Sequence, residues 1–143
     1  MEFKKILVPV DFSENSQKIL GSACDIAEKF GAKLSVVFVV QSFDDYSGFF
    51  VPHMPVAQFE EEMVQGAEKK METFLGGCAG VESKVLVGDV GEEVVRHAQD
   101  AGIDMIIMGT HGYKGLEKVM FGSVAEKVVK SAPCPVLTIN PYK

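Results

Sequence analysis

The chain has 143 residues, 47% of them hydrophobic, and its 14 Lys and Arg against 20 Asp and Glu give a formal charge of −6. That length suits one domain with a core of its own, expected over residues 1–143. The acidic balance argues against a nucleic-acid surface, which needs a clustered basic face.

The chain opens on "KKILVPV", an apolar run ending at Val10 that reads as a strand. Its first residues lack the long apolar stretch of a signal peptide. "DFSENS" follows, with Ser13 able to cap a helix and Asp11 set just beyond the strand. Ile19, Ala23, Ile26, Ala27 and Phe30 then fall on one helical stripe, and Gly31 is a natural terminator. "KLSVVFVV" ends at Val40 and is almost continuously apolar, as strands covered on both faces are. Its apolar core, residues 34–40, is far too short to cross a bilayer, so no membrane partner is expected. A cytoplasmic location is.

Residues 41–56, "QSFDDYSGFFVPHMPV", are rich in aromatics and prolines. They read either as a lid or contact loop or as an ordinary surface connection. A second helical stripe runs through Phe59, Met63, Ala67, Met71, Phe74 and Leu75 and stops at Gly76-Gly77. "SKVLVG" ends at Gly88 as the third strand, and Gly88-Asp89 reads as a turn or as a pocket rim. Val94, Val95 and Ala98 mark a short helix with Glu92 and Glu93 in its first turn, where the helix dipole favours negative charge. "DMIIMG" ends at Gly109, the last helix carries Val124, Val128, Val129 and Ala132 before Pro133, and "CPVLTIN" closes the chain.

Strands alternating with helices imply βαβ units and a doubly wound α/β sheet with helices on both faces. Ligands of such sheets bind beyond the carboxyl ends of the strands, where the strand order reverses. The closing strand is expected at a sheet edge, which invites pairing with another chain.

The three cysteines, Cys24, Cys78 and Cys134, lie more than fifty residues apart. That spacing matches no zinc motif, and the odd count does not suit a disulfide framework. They are expected as plain buried thiols. His53 and His97 belong to no motif.

The fourth strand runs into "GTHGYKGLEKVMFGS", residues 109–123. Here Gly109-x-x-Gly112 is followed by nine residues and then Gly122-Ser123 at a helix start. A helix N-terminus offers unpaired N–H groups and a partial positive charge, which suits phosphate. Glycines at 109 and 112 would let main-chain amides form a nest on the other side. The nine-residue excursion between Gly112 and Gly122, anchored by Leu116, Val119, Met120 and Phe121, would close over the ligand. A structural alternative stands beside this: Ser123 and Glu126 have capping-box spacing and would satisfy the helix start without a ligand. His111 and Lys114 lie in the same loop, where His111 is expected to face solvent and Lys114 reads equally as a phosphate contact or as a solvated side chain. There is no GxxxxGK[ST] and no GxGxxG after the first strand, which removes the P-loop and dinucleotide fingerprints.

The Gly109-x-x-Gly112, nine-residue, Gly122-Ser123 pattern resembles the nucleotide-binding signature of the universal stress protein family. "KKILVPVDFSENS", "FVV" and "CPVLTI" resemble that family's first, second and last strands, so the likeness runs the whole chain. The resemblance implies a five-stranded parallel sheet in the order 3-2-1-4-5 and the ATP-binding branch of the family. It assigns Asp11 and Val39 to the adenine side, Gly109, Gly112, Gly122 and Ser123 to ribose and phosphates, and an amide to Val124. With Ser13 available as a cap, Asp11 is expected to be the freer of the two to meet a ligand. ATP is the implied ligand, with AMP or ADP as alternatives and Mg2+ accompanying the phosphates. A homodimer through the last strand is also implied.

Three functions compete: a nucleotide-dependent regulatory module, a weak or partner-dependent ATPase, and a phosphoacceptor domain. Hydrolysis needs charge neutralisation at the γ-phosphate and a positioned base or water. The glycine segment holds no arginine, and Asp11, the one acid after the first strand, is implied on the adenine side. The lone acid also tells against the phosphoacceptor, which wants clustered carboxylates. The regulatory module is preferred, with no catalytic residue expected.

Overall fold

A computed structural model describes residues 2–41, 56–76, 78, 80–110 and 122–142. Each apolar run becomes a strand: β1 (Lys5–Pro9), β2 (Lys33–Gln41), β3 (Glu82–Gly88), β4 (Met105–Gly109) and β5 (Val136–Ile139). Between them lie α1 (Glu14–Phe30), α2 (Val56–Phe74), α3 (Val90–Asp100) and α4 (Ser123–Ser131). All strand pairs are parallel, and the five strands stand in the order β3-β2-β1-β4-β5. The expected sheet order is therefore observed, with β5 at one edge.

Strand residues alternate between two buried layers because side chains on a strand point to opposite faces. Ile6, Val8, Val36 and Ile107 pack with Ile19, Leu20, Ala23 and Ala27 of α1 and Met71 of α2. Leu7, Val37, Val39, Ile106 and Met108 pack with Val94 and Ala98 of α3 and Ala125 and Val128 of α4. Helices α1 and α2 thus cover one face, and α3 and α4 the other. Full burial of one such side chain contributes about 2 kcal/mol, so the central strands dominate stability.

The helix ends follow local chemistry. The Ser13 hydroxyl accepts from the Ser16 N–H at 3.2 Å and caps α1, as its sequence position suggests. Gly31 ends that helix at φ 63°, a left-handed conformation that any side chain would strain. Three residues of the helical stripes do not reach the core. Phe30 is 52% exposed and lies edge-on to Phe3, with ring centres 5.2 Å apart. Met63 and Val129 are also exposed. Val129 sits about 100° round the helix from the fully buried Val128, off the face that meets the sheet. Among the described side chains of α2, Ala67 and Met71, in its later turns, are the buried ones.

Candidate functional site

The order of the strands reverses between β1 and β4, and the carboxyl ends of β1, β2 and β4 open on one side of the sheet. Asp11, Val39, Gly109, Gly122, Ser123 and Val124 all belong to that end or to the helix that follows it. Gly112, His111, Lys114 and the apolar anchors of the glycine segment lie outside the described residues, as do His53 and positions 42–55 of the long connection.

Asp11 sits in a knot of local bonds. Its N–H donates to the Ser16 hydroxyl at 3.0 Å, and that hydroxyl donates back to Asp11 Oδ1 at 2.7 Å. The Ser13 N–H donates to the same oxygen at 3.0 Å. The expectation that Asp11 would be the freer residue because Ser13 caps α1 therefore needs correcting. Ser13 does cap, but the carboxylate itself braces the turn between β1 and α1. Ser16, a serine one turn into the helix, is the partner that the sequence reading missed.

Phe12, between them, has φ 65°, a left-handed conformation uncommon for a bulky residue. Its ring stacks on Phe38 of β2 at 4.4 Å and meets Phe74 of α2 edge-on at 5.6 Å. Aromatic pairs of this geometry contribute about 1 kcal/mol each beyond burial, enough to hold the strained turn. The turn that carries Asp11 is thus tied to α1, β2 and α2.

Val39 is buried, its side chain in the layer under α3 and α4. The β1–β2 register ends at Pro9 opposite Val37, and the Val10 N–H still donates to the Val37 carbonyl at 2.9 Å. Val39 lies beyond that point, so what it offers at the mouth is main chain.

Gly109 ends β4 opposite Ile139 of β5, and the Thr110 N–H donates to the Ile139 carbonyl at 3.0 Å. The chain leaves at Thr110 and returns at Gly122, whose N–H donates to the Thr110 carbonyl at 3.1 Å. That one bond clips the two ends of the glycine segment together and sets the start of α4 against the end of β4. Thr110 was not singled out from the sequence, and nothing in its residue type signals the role.

The capping box is not formed. Gly122, not Ser123, is the N-cap of α4, and it supplies no side-chain bond. The Glu126 N–H donates to the Gly122 carbonyl at 3.0 Å, while the Glu126 carboxylate turns along the helix to Lys130 Nζ at 2.9 Å. Ser123 is the exposed first residue of the helix. The first-turn amides of Ser123 and Val124 thus meet no acceptor among the described residues.

Gly122 itself has φ −67° and ψ 158°, an extended conformation that any residue adopts. A Cβ built there would have as its nearest described neighbour the Thr110 carbonyl oxygen, 4.0 Å away. Neither torsion nor packing within the described residues calls for glycine at this position.

Asp89 belongs to the scaffold instead. It caps α3 through the Glu92 N–H at 3.1 Å and accepts from Lys127 Nζ of α4 at 3.1 Å. The Glu92 N–H, and after it Lys127, hold its carboxyl below the usual aspartate value. Gly88-Asp89 is therefore a turn and cap, the structural one of the two readings.

Beside this geometry stand the similarities to known proteins. The Universal stress protein family matches residues 2–140. Universal stress protein MJ0531 of Methanocaldococcus jannaschii is 34% identical, with 99% of this chain and 84% of that protein covered. The solved structure of MJ0577, from the same organism, superposes with TM-score 0.81 at 29% identity over 98% of this chain and 97% of its own. A universal stress protein from Archaeoglobus fulgidus in complex with dAMP shares the fold, with TM-score 0.59 at 23% identity over 98% of this chain and 100% of its own. This chain belongs to the universal stress protein family.

Proposed function

We propose that this protein holds an adenine nucleotide at the carboxyl mouth of its sheet and acts as a nucleotide-dependent regulatory module. The observation that carries the reading is Gly122, a glycine that neither torsion nor the described packing requires, set beneath first-turn amides with no acceptor among the described residues. A phosphate chain accounts for both features. It accepts from the Ser123 and Val124 N–H groups, favoured by the helix dipole, and it passes where a side chain at 122 would stand. Gly109 lets main chain approach from the β4 side, Gly112 belongs to the same glycine pattern, and Val39 and the Asp11 turn border the adenine. The complex of the Archaeoglobus fulgidus relative with dAMP agrees with the ligand class.

ATP is the preferred ligand, with ADP and AMP fitting the same cradle. Any Mg2+ would arrive with the phosphates, since no group of three or more His, Cys, Asp or Glu gathers among the described residues. Hydrolysis is disfavoured on the geometry of Asp11, whose Oδ1 already accepts from both Ser13 and Ser16. A braced carboxylate of this kind serves the turn better than it serves an attacking water.

Mass spectrometry of the freshly purified protein tests the ligand: co-purified adenine nucleotide is expected. No binding of ATP, ADP or AMP at millimolar concentration would remove the proposal. We place the protein in the cytoplasm, and no described helix is long and apolar enough to cross a membrane. A homodimer through β5 completes the reading, supported by the exposed Leu137 on that edge strand and by Val129 on α4. A monomer in sedimentation at micromolar concentration would remove the dimer.

A further inference from the structure

The amino ends of the strands, at the opposite end of the sheet from the nucleotide mouth, carry an uneven set of charges. β1 pairs with β2 so that Lys5 stands beside Lys33. β2 pairs with β3 so that Ser35 stands beside Glu82 and Val37 beside Lys84. Alternate residues of a strand share a face. Lys5, Lys33, Glu82 and Lys84 therefore stand on the side of Leu7, Val37 and Leu86, the side covered by α3 and α4. Helix α3 ends there, with His97 in its last turn and Ala101 as its C-cap. Between helix and sheet lies a recess of about 260 Å³ lined by the three lysines, Glu82 and His97, with the buried Val37 and Ile103 as its apolar part.

The cations of this recess are only lightly engaged. Lys5 Nζ donates to the Ala101 carbonyl at 3.2 Å, which leaves its charge uncancelled. Lys33 Nζ meets Glu82 at 3.9 Å in a pair whose side chains are 81% and 75% exposed, a geometry that contributes little. The Lys84 ammonium has no carboxylate or hydrogen-bond partner among the described residues. Asp104, near the start of β1, is occupied by the Lys4 and Lys5 N–H groups at 3.0 Å. Three ammonium groups thus face one carboxylate, in a chain whose formal charge is −6.

From this arrangement we infer that the recess binds a short dicarboxylate. One carboxylate lies between Lys5 and Lys33, the other at Lys84, and the hydrocarbon between them covers Ile103 and Val37. The register sets the separation. Lys84 is level with Val37, about 13 Å along the strands from the level of Lys5 and Lys33. The lysine stems lean across part of that distance and leave the length of a short diacid, whereas a compact anion meets one end alone. The volume lies just below the ~300 Å³ at which drug-sized sites begin, which suits a small metabolite. A neighbouring recess shares Lys84 and His97 but is a poorer anion site, since its Arg96 is paired with Glu93 and Asp100 adds a negative charge. The inference is independent of the nucleotide reading, and either can fail alone.

His97 is a reporter in the wall of the recess. Burial, then the Lys84 ammonium, hold its imidazole below the usual value, with Asp100 pulling the other way. A carboxylate beside Lys84 offsets that repulsion, so binding raises the His97 pKa.

The test is titration of the full chain with succinate, read by calorimetry and by the His97 ring signals in NMR spectra. One-to-one binding is expected, with the His97 titration moved to higher pH. Lys84→Gln and Lys33→Gln should each weaken succinate binding about tenfold, the loss of a charge-assisted hydrogen bond. Acetate and inorganic phosphate, run alongside, should bind the wild type more weakly by about the same factor. Lys29→Gln makes the same charge change on α1, against the other face of the sheet, and should leave binding unchanged. All three lysines are exposed, so the variants should fold. No binding at millimolar succinate would overturn the inference. So would acetate or phosphate binding as tightly as succinate, or a Lys29→Gln effect equal to that of Lys84→Gln.

Discussion

Helices α3 and α4 lie on the same face of the sheet and each follows a strand, yet their N-termini are built in opposite ways. At α3 the start is filled by the protein itself. Asp89 caps the Glu92 N–H, Glu92 and Glu93 stand in the first turn, and Lys127 joins both Asp89 and Glu92. Even the space over Gly88 is taken, since a Cβ there would come within 2.7 Å of the Glu93 side chain. At α4 the cap is a glycine, the first-turn acid Glu126 is drawn away to Lys130, and the space over Gly122 has no close described neighbour. Both helices present the same partial positive charge at their starts. One is answered internally and the other is not answered by any described residue, and such a start is sensible where an anion answers it.

The contrast is easiest to overturn at Gly122. Gly122→Val should lower ATP affinity on the order of a hundredfold, the loss of one or two charge-assisted hydrogen bonds. Its melting temperature should stay close to wild type, because the torsions suit valine and the described packing leaves room. Calorimetric titration and a thermal melt read the two halves, and unchanged affinity would return Gly122 to the role of a turn residue.

Asp89→Ala should do the reverse. It removes a helix cap, so stability in urea should fall by about 1 kcal/mol while ATP affinity holds. A parallel loss of affinity would mean that the two helix starts are not separable.

The smallest effect is on pH. The Asp89 carboxyl is held below its ordinary value by the Glu92 N–H and then by Lys127, so its native form binds protons less readily than its unfolded form. Its contribution is present above about pH 4 and is lost as the pH falls further. The pair is largely exposed, so the effect is modest. The melting temperatures of wild type and Asp89→Asn should converge in acid and separate toward neutrality. A constant gap would show that the charge is irrelevant to the cap.

Much of the fold was legible because its signals are local. The near-continuous apolar runs of β2 and β4, the Gly31 stop and the Ser13 cap each follow from a few adjacent residues. The stripes overreached at Phe30, Met63 and Val129, because periodicity marks an apolar face without saying how far the sheet extends beneath it. The candidate site was legible as a spacing of glycines but not as a set of bonds. Ser123 and Glu126 have the spacing of a capping box, yet the helix begins at Gly122 and Glu126 prefers Lys130. The Thr110 clip and the Ser16 brace on Asp11 depend on where two chain segments meet. Cys24, Cys78 and Cys134, expected as buried thiols, are half-buried, because spacing says nothing of depth in the fold.

The central claim is that bare amides at the start of α4 hold the phosphates of a nucleotide. Two-dimensional 1H–15N spectra of the labelled protein titrated with ATP address it most directly. The largest amide shifts should fall on Gly122, Ser123 and Val124, while the capped start of α3, from Asp89 to Glu92, stays still. Shifts that spare α4, or that fall equally on both helix starts, would contradict the account.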